Sequence, residues 1–239
     1  MIEEVSHLVA QIRARAQQVN SLSTEYHSIY HPGPLPFESN GKMYFLRPDR
    51  VRSETTVNGK PIVSIRNGTV VCRYSPTGKD VWRYDLKDLP QSQPLNFGIA
   101  DVTDPFFAVE EATIQSDGTN EYNGQQAYDF RGRIRAFPGE GMMDTRKGFS
   151  LHYKPKAPQV QLHLLIDPET GLLLKMIGTD NNELETFNVW FKPLEINGIV
   201  DESLFKIEES TTGYRTIQIK DILISAMDPN YADQPPSLN

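Results

Sequence analysis

The sequence predicts a mainly β, α+β protein: an antiparallel meander of short strands behind one long N-terminal helix, in a single domain. Three observations carry this. Apolar residues recur at steps of three and four only at the start of the chain. From residue 24 onward, Asn-Gly pairs and proline-glycine turns punctuate short runs of β-branched and aromatic residues. Within several of those runs, apolar and polar residues alternate, as a sheet with one buried face requires. Turns this closely spaced suit hairpins, not the long crossovers of βαβ units.

The helix is read from Ile2, Val5, Val9, Ile12, Ala16 and Val19, which share one face, with Asn20-Ser21 marking its end. No charged segment followed by an apolar one precedes it, so no signal peptide is read in the chain as given. Strands follow at 24–31, 41–46, 51–57, 61–66, 69–74 and 80–86, then at 112–116, 125–137, 148–154, 160–167, 172–179, 184–191 and 214–220. The pairs Asn58-Gly59, Asn67-Gly68, Asn123-Gly124 and Asn197-Gly198 suit type I′ turns, in which both central residues take positive φ. In 125–137, Phe130, Gly132, Ile134 and Ala136 fall on one face and Arg131, Arg133 and Arg135 on the other. Trp82, Tyr84 and Leu86 likewise oppose Val81, Arg83 and Asp85. The pattern breaks at 86–112, where Pro105 fits the first turn of a short helix capped by Thr103 or Asp104. The end, 231–239, reads as a disordered tail.

Composition excludes several classes. With 24 Lys+Arg against 31 Asp+Glu, a net charge of −7 argues against general nucleic-acid binding. No apolar run reaches the roughly 18 residues of a membrane helix. A single cysteine, Cys72, rules out an internal disulfide and a cysteine-based zinc site. Catalytic constellations are weak throughout. His7, His27, His31, His152 and His163 match no metal-ligand spacing, although His27 and His31 would share a strand face. Asp117, Thr119, Glu121, Asn123 and Gly124 faintly resemble a calcium loop without its closing glutamate, and read as a hairpin loop. Cys72 reads as a small buried hydrophobe. Glu110-Glu111 read as a solvated face, and Asn67-Gly68-Thr69 is a glycosylation sequon in a tight turn. Arg131, Arg133, Arg135, Arg146 and Lys147 form a basic stripe, either a docking site for an anionic group or a solvated sheet face. The 11 Phe, 10 Tyr and 2 Trp exceed what one helix and a few turns need to cover. A curved sheet with an aromatic concave face holds either a solid core or a ligand cavity.

The segment Gly41-Lys42-Met43-Tyr44-Phe45-Leu46-Arg47-Pro48-Asp49-Arg50-Val51-Arg52 resembles the G-x-(aromatic)-x-x-R-P-(D/N) strand pair of the LolA-like superfamily, the periplasmic lipoprotein carriers. Asn67-Gly68-Thr69-Val70-Val71-Cys72-Arg73-Tyr74-Ser75-Pro76 resembles that family's (D/N)-G-x-x-x-W-x-Y-(D/N)-P hairpin. Pro105-Phe106-Phe107 lies where the family carries its lid helices, and Asp201-Glu202-Ser203-Leu204-Phe205 resembles its late D-x-x-x-F turn. The resemblance spans roughly residues 1–220, which it marks as one lipid- or lipoprotein-binding domain, with 221–239 as a C-terminal extension. Three departures stand out. Ser53 replaces a frequent aromatic, Cys72 replaces the hairpin aromatic, and the C-terminus is longer than in typical carriers.

The resemblance implies a half-open β-barrel of about ten to eleven antiparallel strands, with the N-terminal helix and a short lid helix closing the concave face. It implies a non-enzymatic carrier or binder of acyl chains, periplasmic or envelope-associated, working without cofactor or metal. Membrane-bound donor and acceptor proteins would be its partners, and the chain would be a monomer. The candidate cavity residues are Met43, Phe45, Val51, Trp82, Phe106, Phe107, Phe149 and Trp190, with Arg47 as the lid latch. The alternative is a stress-sensing or protein-interaction module of the same fold with a filled core.

Overall fold

The computed structural model describes residues 2–31, 37–57, 59–88, 104–134, 141–143, 151–153 and 160–218. The chain opens on helix α1 (Ile2–Ala16), with Glu3 and Glu4 in its first turn and Arg13 and Arg15 in its last, complementing the helix dipole. Strands β1 (Ser21–Tyr30), β2 (Phe37–Leu46), β3 (Arg50–Val57), β4 (Lys60–Asn67), β5 (Val70–Tyr74) and β6 (Asp80–Asp85) form a continuous meander. After them come β7 (Gln115–Tyr122), β8 (Gln125–Arg133), the short pair β9 (Gly141–Met143) and β10 (Leu151–Tyr153), then β11 (Gln161–Ile166), β12 (Leu173–Thr179) and β13 (Glu185–Ile196). A 3-10 turn (Glu202–Phe205), a one-turn helix α2 (Ile207–Ser210) and β14 (Arg215–Gln218) follow.

Twelve strands make one sheet in the order β14-β6-β5-β4-β3-β2-β1-β13-β12-β11-β8-β7, and β9 and β10 pair separately. Near the centre β1 pairs with β13, which joins the β1–β6 meander to the strands of the second half. The expected half-open, mainly antiparallel sheet with an N-terminal helix is what forms. One pairing departs: β14 runs parallel to β6, fastened by Arg215 to Asp80 at 2.8 Å and by Tyr214 against Tyr74.

Helix α1 lies on the concave face. Val9 and Ile12 are buried there against Phe130, Leu162, Leu164, Ile166 and Leu173. The predicted apolar stripe continues to Val19, but the helix stops at Ala16. Tighter i→i+3 bonds end it, Gln18 N–H to Arg15 O and Val19 N–H to Ala16 O. Val19 then packs on the other half of the sheet, with Leu22, Met43, Phe45, Val51, Val71 and Tyr84. Gly171, at φ +72°, lets the 167–171 turn approach the helix, since a Cβ there would stand 2.4 Å from Ile12 O.

On the convex face, a segment after β13 covers the β4–β6 end. Phe205 and Ile207 close over the cluster of Val63, Ile65, Cys72, Tyr74 and Val81. Two stretches of the motif pattern meet here. Arg50 donates to Glu202 and lies over the Phe205 ring, and Arg52 donates to Leu204 O at 3.0 Å. Asp201 caps the turn by accepting from Ser203 N–H.

Local readings differ in instructive places. Asn123-Gly124 has positive φ at both residues, 51° and 79°, as a type I′ turn requires. At 67–68 only Gly68 is positive, and Asn58 lies outside the described residues. Asn197-Gly198 turns no hairpin: Asn197 Oδ1 accepts Asn20 N–H, and Ser21 Oγ donates to Gly198 O, tying the end of β13 to the start of β1. Residues 117–122, read as a loop, are the outer part of β7. The segment read as a short lid helix is a tight turn: Asp104 O accepts Phe107 N–H, Phe106 O accepts Val109 N–H, and a 3-10 turn follows at Glu111–Thr113.

Candidate functional site

Strand register sorts the candidate residues by face. One transverse row on the concave side runs Trp82, Arg73, Ser64, Ser53, Met43, Thr24 across β6 to β1. The next row runs Tyr84, Val71, Arg66, Val51, Phe45, Leu22. Met43, Phe45, Val51 and Trp82 are therefore neighbours on one concave surface, the first three 4–5% exposed and Trp82 half-buried. Over the other half of this surface stands the 104–108 turn. Phe106 is fully buried, edge-on to Phe130 at 5.1 Å, and Phe107 is half-buried beside it.

Between the two halves lies a crevice lined by Leu22, Met43, Pro105, Phe107, Leu173 and Phe191, with about 20 Å³ of free volume. That space holds one water and no more. Phe149 lies outside the described residues. Trp190 stands on the other face: its register partner is His27, while Phe191 next to it faces the concave side with Tyr26.

The concave surface also has a polar strip that composition did not reveal. Ser28, Ser39, Ser53 and Ser64 are 4–7% exposed, and Ser28 and Ser39 hydrogen-bond each other at 2.5 Å. Tyr26 crosses over Gly41, its partner in β2, to bond Thr55, the partner of Gly41 in β3. Burial pulls the Arg73 guanidinium below its ordinary value, against the opposing effect of Tyr84 and Tyr26. Burial pushes the Tyr84 and Tyr26 phenols up.

Arg47 holds the end of helix α1. Its Nε donates to Val19 O at 2.7 Å and its Nη2 to Ala16 O at 3.2 Å, so it fastens the segment where the helix stops, sharing Ala16 O with Val19 N–H. The 104–108 turn is tied by a different residue. Arg13 Nε donates to Asp104 Oδ1 at 3.1 Å, Nη1 donates to Glu111 Oε1 at 2.8 Å, and its guanidinium lies over the Phe106 ring at 5.7 Å. These two carboxylates raise the Arg13 pKa against the desolvation that would lower it. Asp104 also accepts Phe106 N–H, so one carboxylate serves the turn and its latch. Sequence reasoning missed Arg13. Its only signal was a cation at the edge of the helix's apolar face.

The remaining chemistry-bearing residues have ordinary partners. Arg131 pairs with Asp117 and Arg133 with Glu110, while Arg135, Arg146 and Lys147 lie outside the described residues. His31 faces Glu185 at 3.7 Å, and His163 bonds the buried Asp129 at 2.6 Å. Cys72 is fully buried, and burial pushes its thiol up to about 11. Among the described residues no group of three His, Cys, Asp or Glu could hold a metal ion.

A scan against protein-family models finds no match, and a search of curated protein sequences finds none either. Solved structures do match. A conserved protein from Thermus thermophilus superposes with a TM-score of 0.52 at 12% identity, covering 87% of this chain and 98% of its own. The Mycobacterium tuberculosis lipoprotein LppX gives 0.48 at 13% identity, over 82% of this chain and 98% of LppX. Pseudomonas aeruginosa MucB, solved with MucA, gives 0.47 at 11% identity, over 85% of this chain and 60% of that one. At 12% identity, what is shared with the Thermus thermophilus protein is the fold. The twelve-stranded half-open sheet with an N-terminal helix in its concave face is the architecture this chain shares with the Thermus thermophilus protein, and in it the 41–52 stretch meets the 201–205 turn.

Proposed function

We propose that this chain is a non-enzymatic binder or carrier of acyl chains in the cell envelope, in its closed state. The observation that carries the reading is the concave crevice between Met43 and Phe107, apolar on both sides and roofed by a turn that side-chain ion pairs hold down.

The magnitudes favour a lid that yields to ligand. Arg13, 25% exposed, pairs with Asp104 and Glu111, 32% and 66% exposed. Pairs this wet contribute about 0.2–1 kcal/mol each. Each methylene taken out of water returns about 0.8 kcal/mol. About one to three methylenes therefore offset the two pairs, and a long chain exceeds them several-fold. The ligand is the acyl part of a lipid or lipoprotein, received from and passed to membrane-bound partners by a monomer.

Titration of the full chain with a fluorescent fatty acid tests this. Saturable binding is expected, tightening about three- to tenfold in Arg13→Ala, because the closed state loses its latch while the crevice is untouched. Absence of binding in both proteins overturns the reading. A second reading rests on the same crevice: with only about 20 Å³ free, it is also the filled core of a protein-interaction module. A stoichiometric protein partner recovered without lipid favours that alternative.

A further inference from the structure

We propose that the convex face carries a second ligand site, a saccharide-binding groove built on Trp190, His27 and Tyr122. It is separate from the concave crevice and does not depend on the acyl-chain reading. Register sets its floor. Lys175, Trp190, His27 and Asn40 are successive partners across β12, β13, β1 and β2, and all four face the convex side. The β7–β8 hairpin tip, residues 122–125, forms one wall. The groove is open to solvent and has a volume of about 680 Å³, within the range of roughly 300–1,000 Å³ typical of small-ligand sites.

Its chemistry is that of sugar recognition. A pyranose ring presents an apolar C–H face and a girdle of hydroxyls, so it needs a flat aromatic surface with donors and acceptors around it. The His27 and Trp190 rings stand 4.3 Å apart, forming a half-buried aromatic floor. Tyr122 is held under the Lys175 ammonium at 5.9 Å and packs on Ala127, Leu165 and Leu174. The rim supplies Asn40, Asn123 and Gln125 as amides and Glu25, Lys42 and Lys192 as charges. An acyl chain laid here would leave that rim without partners. The rim's charges partly cancel, with Lys192 3.9 Å from Glu25.

A second observation points to a hydroxylated ligand. His27, which lines the groove, has its Nδ1 buried with no hydrogen-bond partner among the described residues. Buried polar atoms are nearly always paired. A hydroxyl seated beside Trp190 supplies that partner once the His27 ring turns toward the groove. The sequence singled out Trp190 for the concave cavity. The convex groove gives that aromatic a use that the cavity does not.

Calorimetric titration of the full chain with tetrasaccharides of glucose, mannose, galactose and N-acetylglucosamine tests the proposal. At least one is expected to bind saturably. Trp190→Ala should weaken it tenfold or more. Asn40→Ala, an exposed position whose truncation leaves the core intact, should weaken it about fivefold by removing one hydrogen bond. Fluorescent fatty-acid binding by Asn40→Ala should match the wild type, which keeps the two sites' outcomes apart. If no tetrasaccharide binds the folded chain, or one binds both variants with undiminished affinity, the proposal is overturned.

Discussion

Gly41→Ala is expected to destabilise the protein by about 3 kcal/mol or more, the upper end of what overpacking costs. A Cβ at this position would stand 2.1 Å from Glu54 O and 2.9 Å from Thr55 Cα, both backbone atoms of the neighbouring strand. No rotamer change relieves such a clash. β3 would have to move away from β2, and the Tyr26–Thr55 bond that crosses above Gly41 would be lost with it. Gly118→Ala is the control. Nothing lies within 4 Å of its Cβ, so only the strain of φ +92° remains, about 1–2 kcal/mol. Chemical denaturation of both variants measures the difference. Equal losses would show that backbone freedom, not close approach, is what Gly41 provides.

Phe106→Ala is expected to cost about 3–5 kcal/mol, a fall in Tm on the order of 10 °C for a chain this long. The ring is fully buried, meets Phe130 edge-on, and carries the Arg13 guanidinium on its face. Its neighbour Phe107 is only half-buried and lines the crevice. Phe107→Ala should therefore cost far less stability while leaving the turn latched. The contrast separates two roles along one tripeptide: Phe106 anchors the closing turn, and Phe107 is the part of it that a ligand would displace. Comparable losses in both variants, read by thermal unfolding, would contradict this division.

Much of this architecture was legible in the residues. Period-3.6 spacing located α1, and Asn-Gly turns with alternating strands located β3 to β6 within a residue or two. Arg50 and Arg52, just past the Arg47-Pro48 motif, and the D-x-x-x-F turn are far apart in sequence and touch in space. What escaped has physical reasons. β7 reads Gln-Ser-Asp-Gly-Thr-Asn-Glu-Tyr, polar on both faces, because an edge strand with exposed sides needs no apolar alternation. β14 pairs in parallel across the sheet, a choice made by the path of the 202–210 segment and not by its own four residues.

The site was legible in part for a related reason. β13 places Phe187, Val189 and Phe191 on one side, yet Trp190 on the other is also large and apolar. Alternation cannot assign a strand with aromatics on both faces, and bulges at Ser23/Thr24 and Gly178/Thr179 shift its registers further. Arg13 was hidden because its partners lie 91 and 98 residues away. Charge pairing at that separation leaves no local trace.

An acyl chain that enters between Met43 and Phe107 can be located by photolabelling the full chain with a diazirine fatty acid, followed by peptide mapping. Adducts are expected on concave residues, Met43, Phe107 and Phe191 foremost, increased in Arg13→Ala and suppressed by unlabelled fatty acid. Labelling confined to the convex face, or labelling that excess fatty acid does not compete away, would contradict entry there.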